Sequence, residues 1–278
     1  MRPPGSDVFG GTGDPRVAVI MPCYNSSRFV ADAIRSVLTQ DYPLIDIIVI
    51  DDGSPDDLGA AIRPFADRIR LIVHDRNRGM AQARNTGIDA TETPLIAFLD
   101  PDDRWRPSKV RVQVEYLRQH PECGLVYVRS STINAMGEPL DPEAADRLPA
   151  IEDTWEGVLR RCPFLSSQAM VRRSVLANDR FRSDASPVED WDLWFRLAAR
   201  TSFGACAQTL VEWRRHEGNF SGDQAKVRRG VLRMLTQLEQ TELPGPRRAA
   251  IRARIARVRQ RIARLDRSPQ QVSQPSPV

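Results

Sequence analysis

The feature that most constrains the fold is a regular alternation of short apolar runs and helical patterns over about the first 100 residues. Four apolar runs predict buried strands, at 16–21, 46–50, 70–74 and 94–99. Segments with apolar residues at helical spacing follow these runs. Such alternation is typical of parallel βαβ units with right-handed crossovers. The sequence therefore predicts an α/β fold with a mostly parallel central sheet flanked by helices.

Polar and acidic clusters follow three of the four strands directly, at 23–25, 51–54 and 100–103. In open α/β sheets, ligands bind at the carboxyl ends of the strands. The last cluster, with Asp100, Asp102 and Asp103, is unfavourable unless a cation neutralises it. Oxygen ligands suit Mn²⁺ or Mg²⁺, which commonly bridge carboxylates to substrate phosphates. A solvated turn that caps the next helix remains the alternative for this cluster.

The sequence motifs of several protein classes are absent here. No GxGxxG or GxxxxGK[ST] loop is present, which disfavours a dehydrogenase or a P-loop NTPase. No apolar run approaches the roughly 18 residues that a membrane span needs. The four cysteines form no CxxC pair, which indicates reduced thiols. We predict a cytoplasmic protein, with peripheral attachment to the inner membrane face as an alternative, and a disordered leader at 1–15 that is no signal peptide.

Short motifs occur in a fixed order along the chain. They are Pro22-Cys23-Tyr24-Asn25, 36–40 (SVLTQ), Asp51-Asp52-Gly53-Ser54, Ala83-Arg84-Asn85-Thr86-Gly87, 98–105, Glu189-Asp190-Trp191 and, more weakly, 213–219. In this order they resemble family 2 of the glycosyltransferases, over roughly residues 16–220. The resemblance implies a GT-A fold, the fold of transferases that use nucleotide-diphospho-sugars. It also implies an enzyme that is metal-dependent and moves a sugar from such a donor, with a UDP-sugar favoured.

The resemblance further implies roles for individual residues on the donor side. The donor-binding positions are Pro22, Tyr24, Asn25, Asp51, Asp52, Arg84, Asp100, Arg214 and His216. Among them, Asp52 would bind the base with Asp51 beside it, and Asp100 would face the ribose. Asp102 would bind Mn²⁺ or Mg²⁺, with Asp100, Asp103 and His216 as further candidate ligands. For the segment around Arg214 and His216, an ordinary surface loop is the alternative.

Glu189 and Asp190 match the position of the family's general base. In the inverting mechanism that the resemblance implies, this carboxylate takes the proton of an acceptor hydroxyl on a saccharide or lipid-linked saccharide. We favour Asp190 over Glu189, and the alternative is that both acids serve only at the start of the Trp191 helix. Two other functions remain open. One is a nucleotidyltransferase that makes nucleotide-sugars, although the glycine-rich loop expected of that class is missing from this sequence. The other is a non-catalytic nucleotide-sugar-binding scaffold.

The chain divides by composition into a body and a basic arm. We predict a GT-A domain at 16–225, with a nucleotide half (16–105) and an acceptor half (106–225), a basic helical extension at 226–267 and a disordered tail at 268–278. Within the extension, apolar residues recur at helical spacing at Ile251, Ile255, Val258, Ile262 and Leu265. This helix could pack on the body, form a homodimer, or contact a membrane surface through 247–267. Nucleic acid is disfavoured because aromatic residues are absent.

Overall fold

The structure is a computed structural model that describes residues 13–140, 154–161, 164–218, 224–241 and 244–266. Most of the predicted leader (1–12), the predicted tail (268–278), Cys162 and Asn219 lie outside the described residues. Among the described helices, none is both long enough and apolar enough to cross a lipid bilayer.

Eight strands form one sheet in the order β3-β2-β1-β4-β7-β6-β8-β5. They are β1 Val17–Cys23, β2 Ile45–Asp51, β3 Ile69–Val73, β4 Leu95–Phe98, β5 Arg104–Trp105, β6 Cys123–Ile133, β7 Ala169–Arg172 and β8 Ser202–Arg214. The strands β3, β2, β1 and β4 are parallel, β7 is antiparallel to both of its neighbours, β8 is parallel to β6, and β5 is antiparallel to β8. The predicted α/β fold with a mostly parallel sheet is confirmed, and the two predicted halves share this sheet.

Nine α-helices are present in the described ranges. They are α1 Val30–Leu38, α2 Leu58–Ile62, α3 Met80–Asp89, α4 Lys109–Gln119, α5 Thr154–Arg160, α6 Arg173–Leu176, α7 Glu189–Ala198, α8 Gln224–Glu239 and α9 Gly245–Asp266. The second helix is short. It ends at Ile62, and a 3₁₀ turn at Arg63–Phe65 follows, because Pro64 has no N–H for the helical hydrogen bond.

Apolar side chains on both faces of the sheet form two core clusters. Along β1, Ala18 and Ile20 face a cluster that includes residues of α3, α5, α7, α8 and α9, whereas Val17 and Val19 face a cluster that includes residues of α1, α2 and α4. A parallel strand covered on both faces is apolar throughout, which is why β1 appears as one continuous run. The carboxyl ends of the parallel strands carry the polar clusters.

The basic extension forms two helices that pack back on the body. Ile251, Ile255 and Val258 on α9 are all at most 5% exposed and belong to the same cluster as α5 and α7. Packing on the body, one of the three alternatives for this helix, is therefore observed. Because these apolar side chains are buried within the chain, they do not present a seam to a second subunit.

Gly87 in α3 allows this helix to lie close against β1. A Cβ at this position would lie 2.4 Å from Cγ2 of Ile20, a distance that forces the strand or helix to shift. We expect Gly87→Ala to lower the free energy of unfolding by about 1–3 kcal/mol, as measured by urea denaturation. Gly59→Ala in α2 is the matched control, since its Cβ would meet no atom within 4 Å. An equal loss in both variants would contradict a packing cause.

Candidate active site

The loops that follow β1 and β2 are hydrogen-bonded to each other. Asn25 has a positive φ of 50°, and its backbone N–H donates to Ser54 Oγ at 3.3 Å. Ser27 N–H donates to Asp56 Oδ2 at 2.7 Å. Pro22 is buried within β1, whereas 49% of the Tyr24 side chain is exposed. Of these two predicted donor-binding residues, Tyr24 is therefore the one that a ligand can reach directly.

The two neighbouring aspartates at the end of β2 have different environments. Asp51 is partly exposed, and its Oδ1 accepts a hydrogen bond from Ser54 N–H at 2.8 Å. Asp52 is buried, and its Oδ1 accepts from His74 Nδ1 at 2.6 Å. Both of its oxygens also accept from the backbone of the turn before α3, at Arg78 and Gly79 (2.9 and 2.8 Å). Asp52 thus fixes this turn, and its predicted contact with a base remains a prediction.

Asp103 points into the protein. Ser167 Oγ donates to its Oδ2 at 2.6 Å, and the backbone N–H of Arg214 donates to its Oδ1 at 3.0 Å. Burial, together with the charges of Asp102 and Asp100, raises the pKa of Asp103 well above its usual range. Because both oxygens are engaged inside the protein, the structure does not present Asp103 as a metal ligand, contrary to the sequence-based expectation.

Asp102 forms a pair with His216 from the segment after β8. His216 Nε2 lies 3.0 Å from Asp102 Oδ2, and Gly218 N–H donates to Nδ1 at 3.2 Å. Since Nδ1 accepts, Nε2 carries the ring proton and donates to Asp102. Burial and the charge of Asp100 raise the pKa of Asp102, and His216 opposes that shift. The ring of Phe29 lies 4.8 Å from the imidazole and helps to hold it.

The guanidinium of Arg214 is buried and bonds to groups of the protein itself. It is 1% exposed, and its Nε donates to the carbonyl of Asp102 at 2.8 Å. Another nitrogen donates to the carbonyl of Ala135 at 3.1 Å, and burial lowers the pKa of Arg214. Arg214 therefore connects the Asp102 loop to the turn after β6, and the predicted role of this side chain in donor binding does not fit its position.

Arg84 on α3 joins the two acidic motifs. Its side chain is buried and forms ion pairs with Asp100 at 2.8 Å and with Glu189 at 3.5 Å. Burial alone would lower the pKa of Arg84, but the charges of Asp100, Glu189 and Asp190 outweigh it and raise the pKa. Arg84 therefore brings the end of β4 and the start of α7 together, where the sequence pattern suggested a direct contact with the nucleotide.

Glu189 and Asp190 form the first turn of α7, behind the N-cap residue Val188. Glu189 is buried, and its Oε2 has no hydrogen-bond partner among the described residues. Asp190 is partly exposed, and its Oδ1 accepts from the N–H of Trp191 at 2.7 Å. Burial raises the pKa of Asp190 to about 7, the charge of Glu189 adds to the shift, and Arg84 opposes it.

The profile described as "Glycosyl transferase family 2" matches residues 18–177 of the chain. The chain belongs to glycosyltransferase family 2. A relative from Rickettsia conorii, the uncharacterized glycosyltransferase RC0461, is 29% identical over 72% of this chain, and the chain spans 33% of that protein. The UDP-Glc:alpha-D-GlcNAc-diphosphoundecaprenol beta-1,3-glucosyltransferase WfgD of Escherichia coli is 27% identical over 77% of this chain and 82% of its own length.

Solved structures confirm the GT-A fold of this glycosyltransferase. S. aureus TarS 1–349 superposes with a TM-score of 0.68 at 14% identity, covering 93% of this chain and 75% of that chain. TarS 1–349 has also been solved in complex with UDP and with UDP-GlcNAc. The mannosyltransferase PcManGT from Pyrobaculum calidifontis, in complex with GDP-Man and Mn²⁺, gives a TM-score of 0.65 at 18% identity, with 94% and 77% coverage.

The metal ligands that this glycosyltransferase could offer are few. Within the described ranges, no group of three or more His, Cys, Asp or Glu side chains is arranged to hold an ion. Asp102 and His216 are close enough to supply two ligands. Mg²⁺ keeps several waters and binds through one or two carboxylates plus substrate phosphates. The residues therefore fit an ion that arrives with a diphosphate and do not fit a complete protein cage.

Two residues that position the site were missed by sequence reasoning. Ser167, in the 3₁₀ turn before β7, accepts from the backbone N–H of Asp100 at 3.1 Å and donates to Asp103. His74, after β3, lies between Asp52 and Thr86 Oγ1. Neither stands in a motif that marks it, because each is defined by a partner distant in sequence.

Proposed function

We propose that this glycosyltransferase moves a sugar from a UDP-sugar to a hydroxyl of a saccharide or lipid-linked saccharide, with inversion at the anomeric carbon. The observation that carries the proposal is the Arg84 ion-pair network, which holds Asp100 and Glu189 in one site with Asp190 next to them. The name of WfgD describes a UDP-glucose donor and a lipid-linked acceptor, and TarS binds UDP and UDP-GlcNAc. These two relatives support UDP as the nucleotide and a lipid-linked saccharide as the acceptor class.

Asp190 is the base in this proposal. Its carboxylate takes the proton of the acceptor hydroxyl while that oxygen bonds to the anomeric carbon, opposite the breaking bond to the diphosphate. A base is most effective when its pKa lies near the working pH, and the pKa of Asp190 is raised to about 7. Glu189 is buried against Arg84 and positions the turn that carries Asp190. The products are the glycoside, UDP and a proton that Asp190 releases to solvent.

The donor side uses residues at the ends of β1, β2 and β4. In this proposal Tyr24 and Asp52 contact the base, with the partly exposed Asp51 beside Asp52, and Asp100 contacts the ribose. Pro22 and Asn25 shape the loop after β1. Mn²⁺ or Mg²⁺ held by Asp102 and His216 would neutralise charge on the diphosphate. For His216 Nε2 to bind the ion, the ring proton must move to Nδ1, and the hydrogen bond that Gly218 N–H donates to Nδ1 must then break.

Asp102→Asn tests the proposed metal dependence. We expect Mn²⁺ to strengthen UDP binding by the wild-type protein. In the variant, the increase in UDP affinity that Mn²⁺ causes should be at least about tenfold smaller, because a carboxamide is a weaker ligand than a carboxylate. Isothermal titration with UDP, with and without Mn²⁺, measures both values. Asp75→Asn is the control, since it removes an exposed charge after β3 that pairs with the neighbouring Arg76 and Arg78. A variant at Asp102 that retains the full Mn²⁺ effect would contradict the assignment.

A further inference from the structure

The helices α8 and α9, here called the α8–α9 surface, concentrate the positive charge of the protein. They contain twelve Lys and Arg residues against Glu239 and Asp266, a net charge of +10. Since the whole chain carries +4, the remainder carries −6. The molecule is therefore an acidic body with a strongly basic surface on one helical unit.

One side of α9 is buried and the other is a face of arginines. Ile251, Ile255 and Val258 pack into the core. The exposed arginines of the outer face are Arg252, Arg257, Arg259, Arg261 and Arg264. Within the described ranges, Arg252 pairs with Glu239, and the other four have no carboxylate partner. The positive charge of this face is thus largely uncompensated within the chain.

Crowding of like charges is visible at Arg254. This side chain is partly buried, and its Nε has no hydrogen-bond partner among the described residues. Burial lowers the pKa of Arg254, and the charges of Arg261 and Arg257 lower it further. An anionic partner on this face would relieve the repulsion between these three side chains.

The α8–α9 surface is attached to the acceptor half of the molecule. Gly230 of α8 lies against Pro187, and Arg233 donates to the carbonyl of Ser186, in the loop that leads directly to Glu189. On α9, the guanidinium of Arg247 lies 5.0 Å from the ring centre of Trp155 in α5. The α8–α9 surface is therefore joined to the loop that leads to the predicted base.

We propose that the α8–α9 surface binds an anionic lipid bilayer and so brings the acceptor half of the chain to a membrane. The presence of a lipid-linked acceptor in that membrane rests on the proposed function, whereas binding to the bilayer does not. Because the apolar side of α9 is buried, the attraction is electrostatic, through arginines and anionic head groups, and is weakened by salt. Like-charge repulsion disfavours a second copy, and neither helix contains an aromatic residue to stack on nucleic acid bases.

The test is co-sedimentation of the full chain with vesicles of phosphatidylglycerol or of phosphatidylcholine, at low and high salt. We expect binding to phosphatidylglycerol vesicles only, with release by salt. The variant Arg257→Glu/Arg261→Glu should weaken it by at least about tenfold, because it reverses two exposed charges and relieves the crowding at Arg254. Arg63→Glu/Arg68→Glu makes the same change in net charge on an exposed part of the nucleotide half and should bind like the wild type.

Several results would overturn the proposal. They are unchanged binding by the Arg257 and Arg261 variant, equal binding to phosphatidylcholine, an equal loss in the Arg63 and Arg68 control, or tighter binding to duplex DNA than to phosphatidylglycerol vesicles. UDP binding, measured in parallel, reports whether each variant is folded. Since vesicle binding needs neither donor nor acceptor, its failure would leave the proposed transfer reaction untouched, and failure to bind UDP would leave the vesicle result standing.

Discussion

Asp190→Asn is expected to slow sugar transfer by about 100- to 10,000-fold while leaving UDP binding unchanged. The substitution keeps the shape of the side chain and an oxygen that can still accept from Trp191 N–H, but it removes the group that takes the acceptor proton. Transfer is measured as UDP release that depends on the acceptor. UDP titration of the same sample shows that the donor site is intact. Asp89→Asn, on the surface of α3 in an ion pair with Arg180, is the control and should transfer like the wild type.

The pH dependence gives a second measurement on the same residue. Because burial raises the pKa of Asp190 to about 7, kcat/KM of the wild-type enzyme should fall as the pH decreases through that value and the base becomes protonated. The residual activity of Asp190→Asn should lack this acidic limb. If instead Glu189→Gln abolished transfer while Asp190→Asn kept both transfer and its acidic limb, Glu189 would be the base and Asp190 the positioning residue.

Arg84→Gln is expected to lower the free energy of unfolding by about 3–5 kcal/mol. The variant leaves Glu189, which is 8% exposed, and the carboxylate of Asp100 without their shared counter-ion. Denaturation in urea near neutral pH measures the loss. Arg16→Gln is the matched control, since it breaks a solvent-exposed ion pair with Asp46, which is worth less than about 1 kcal/mol. Similar losses in the two variants would contradict a special role for the buried network.

The same Arg84→Gln variant should also shift the pH dependence of kcat/KM, which a purely structural role does not predict. The positive charge of Arg84 opposes the rise in the pKa of Asp190. Without it, the pKa of Asp190 rises further, and the acidic limb of kcat/KM moves to higher pH. A pH profile in a folded sample tests this, and a limb that stays in place would remove Arg84 from the control of the base.

The parallel half of the fold could be predicted because three of its four strands, β1, β2 and β4, are largely buried on both faces. β1 is apolar at almost every position and therefore visible as a continuous run. β8 (Ser202–Arg214) was missed since its buried and exposed residues do not alternate regularly, and its pairing with β6 is interrupted by register shifts. β5 has two residues and is defined only by its partner. Such pairing between distant segments leaves no local pattern in a sequence.

At the site, sequence reasoning found the motifs but could not predict where their side chains point. Asp102 and Asp103 are neighbours, yet the first meets His216 and the second turns inward to Ser167. Arg84 and Arg214 were expected to bind the donor, and the structure engages both with groups of the protein itself. The partners that decide these orientations are at least 16 residues away in the chain, so only the folded chain defines them.

The close approach of α8 to the loop before Glu189 limits how this enzyme can be redesigned. A Cβ at Gly230 would lie 2.7 Å from Cδ of Pro187, so the helix and the loop fit each other as a matched pair. A hybrid enzyme that borrows the acceptor-binding region of a relative should therefore take both pieces from the same parent. Exchanging one without the other would place a foreign side chain against Pro187 and displace the turn that carries Asp190.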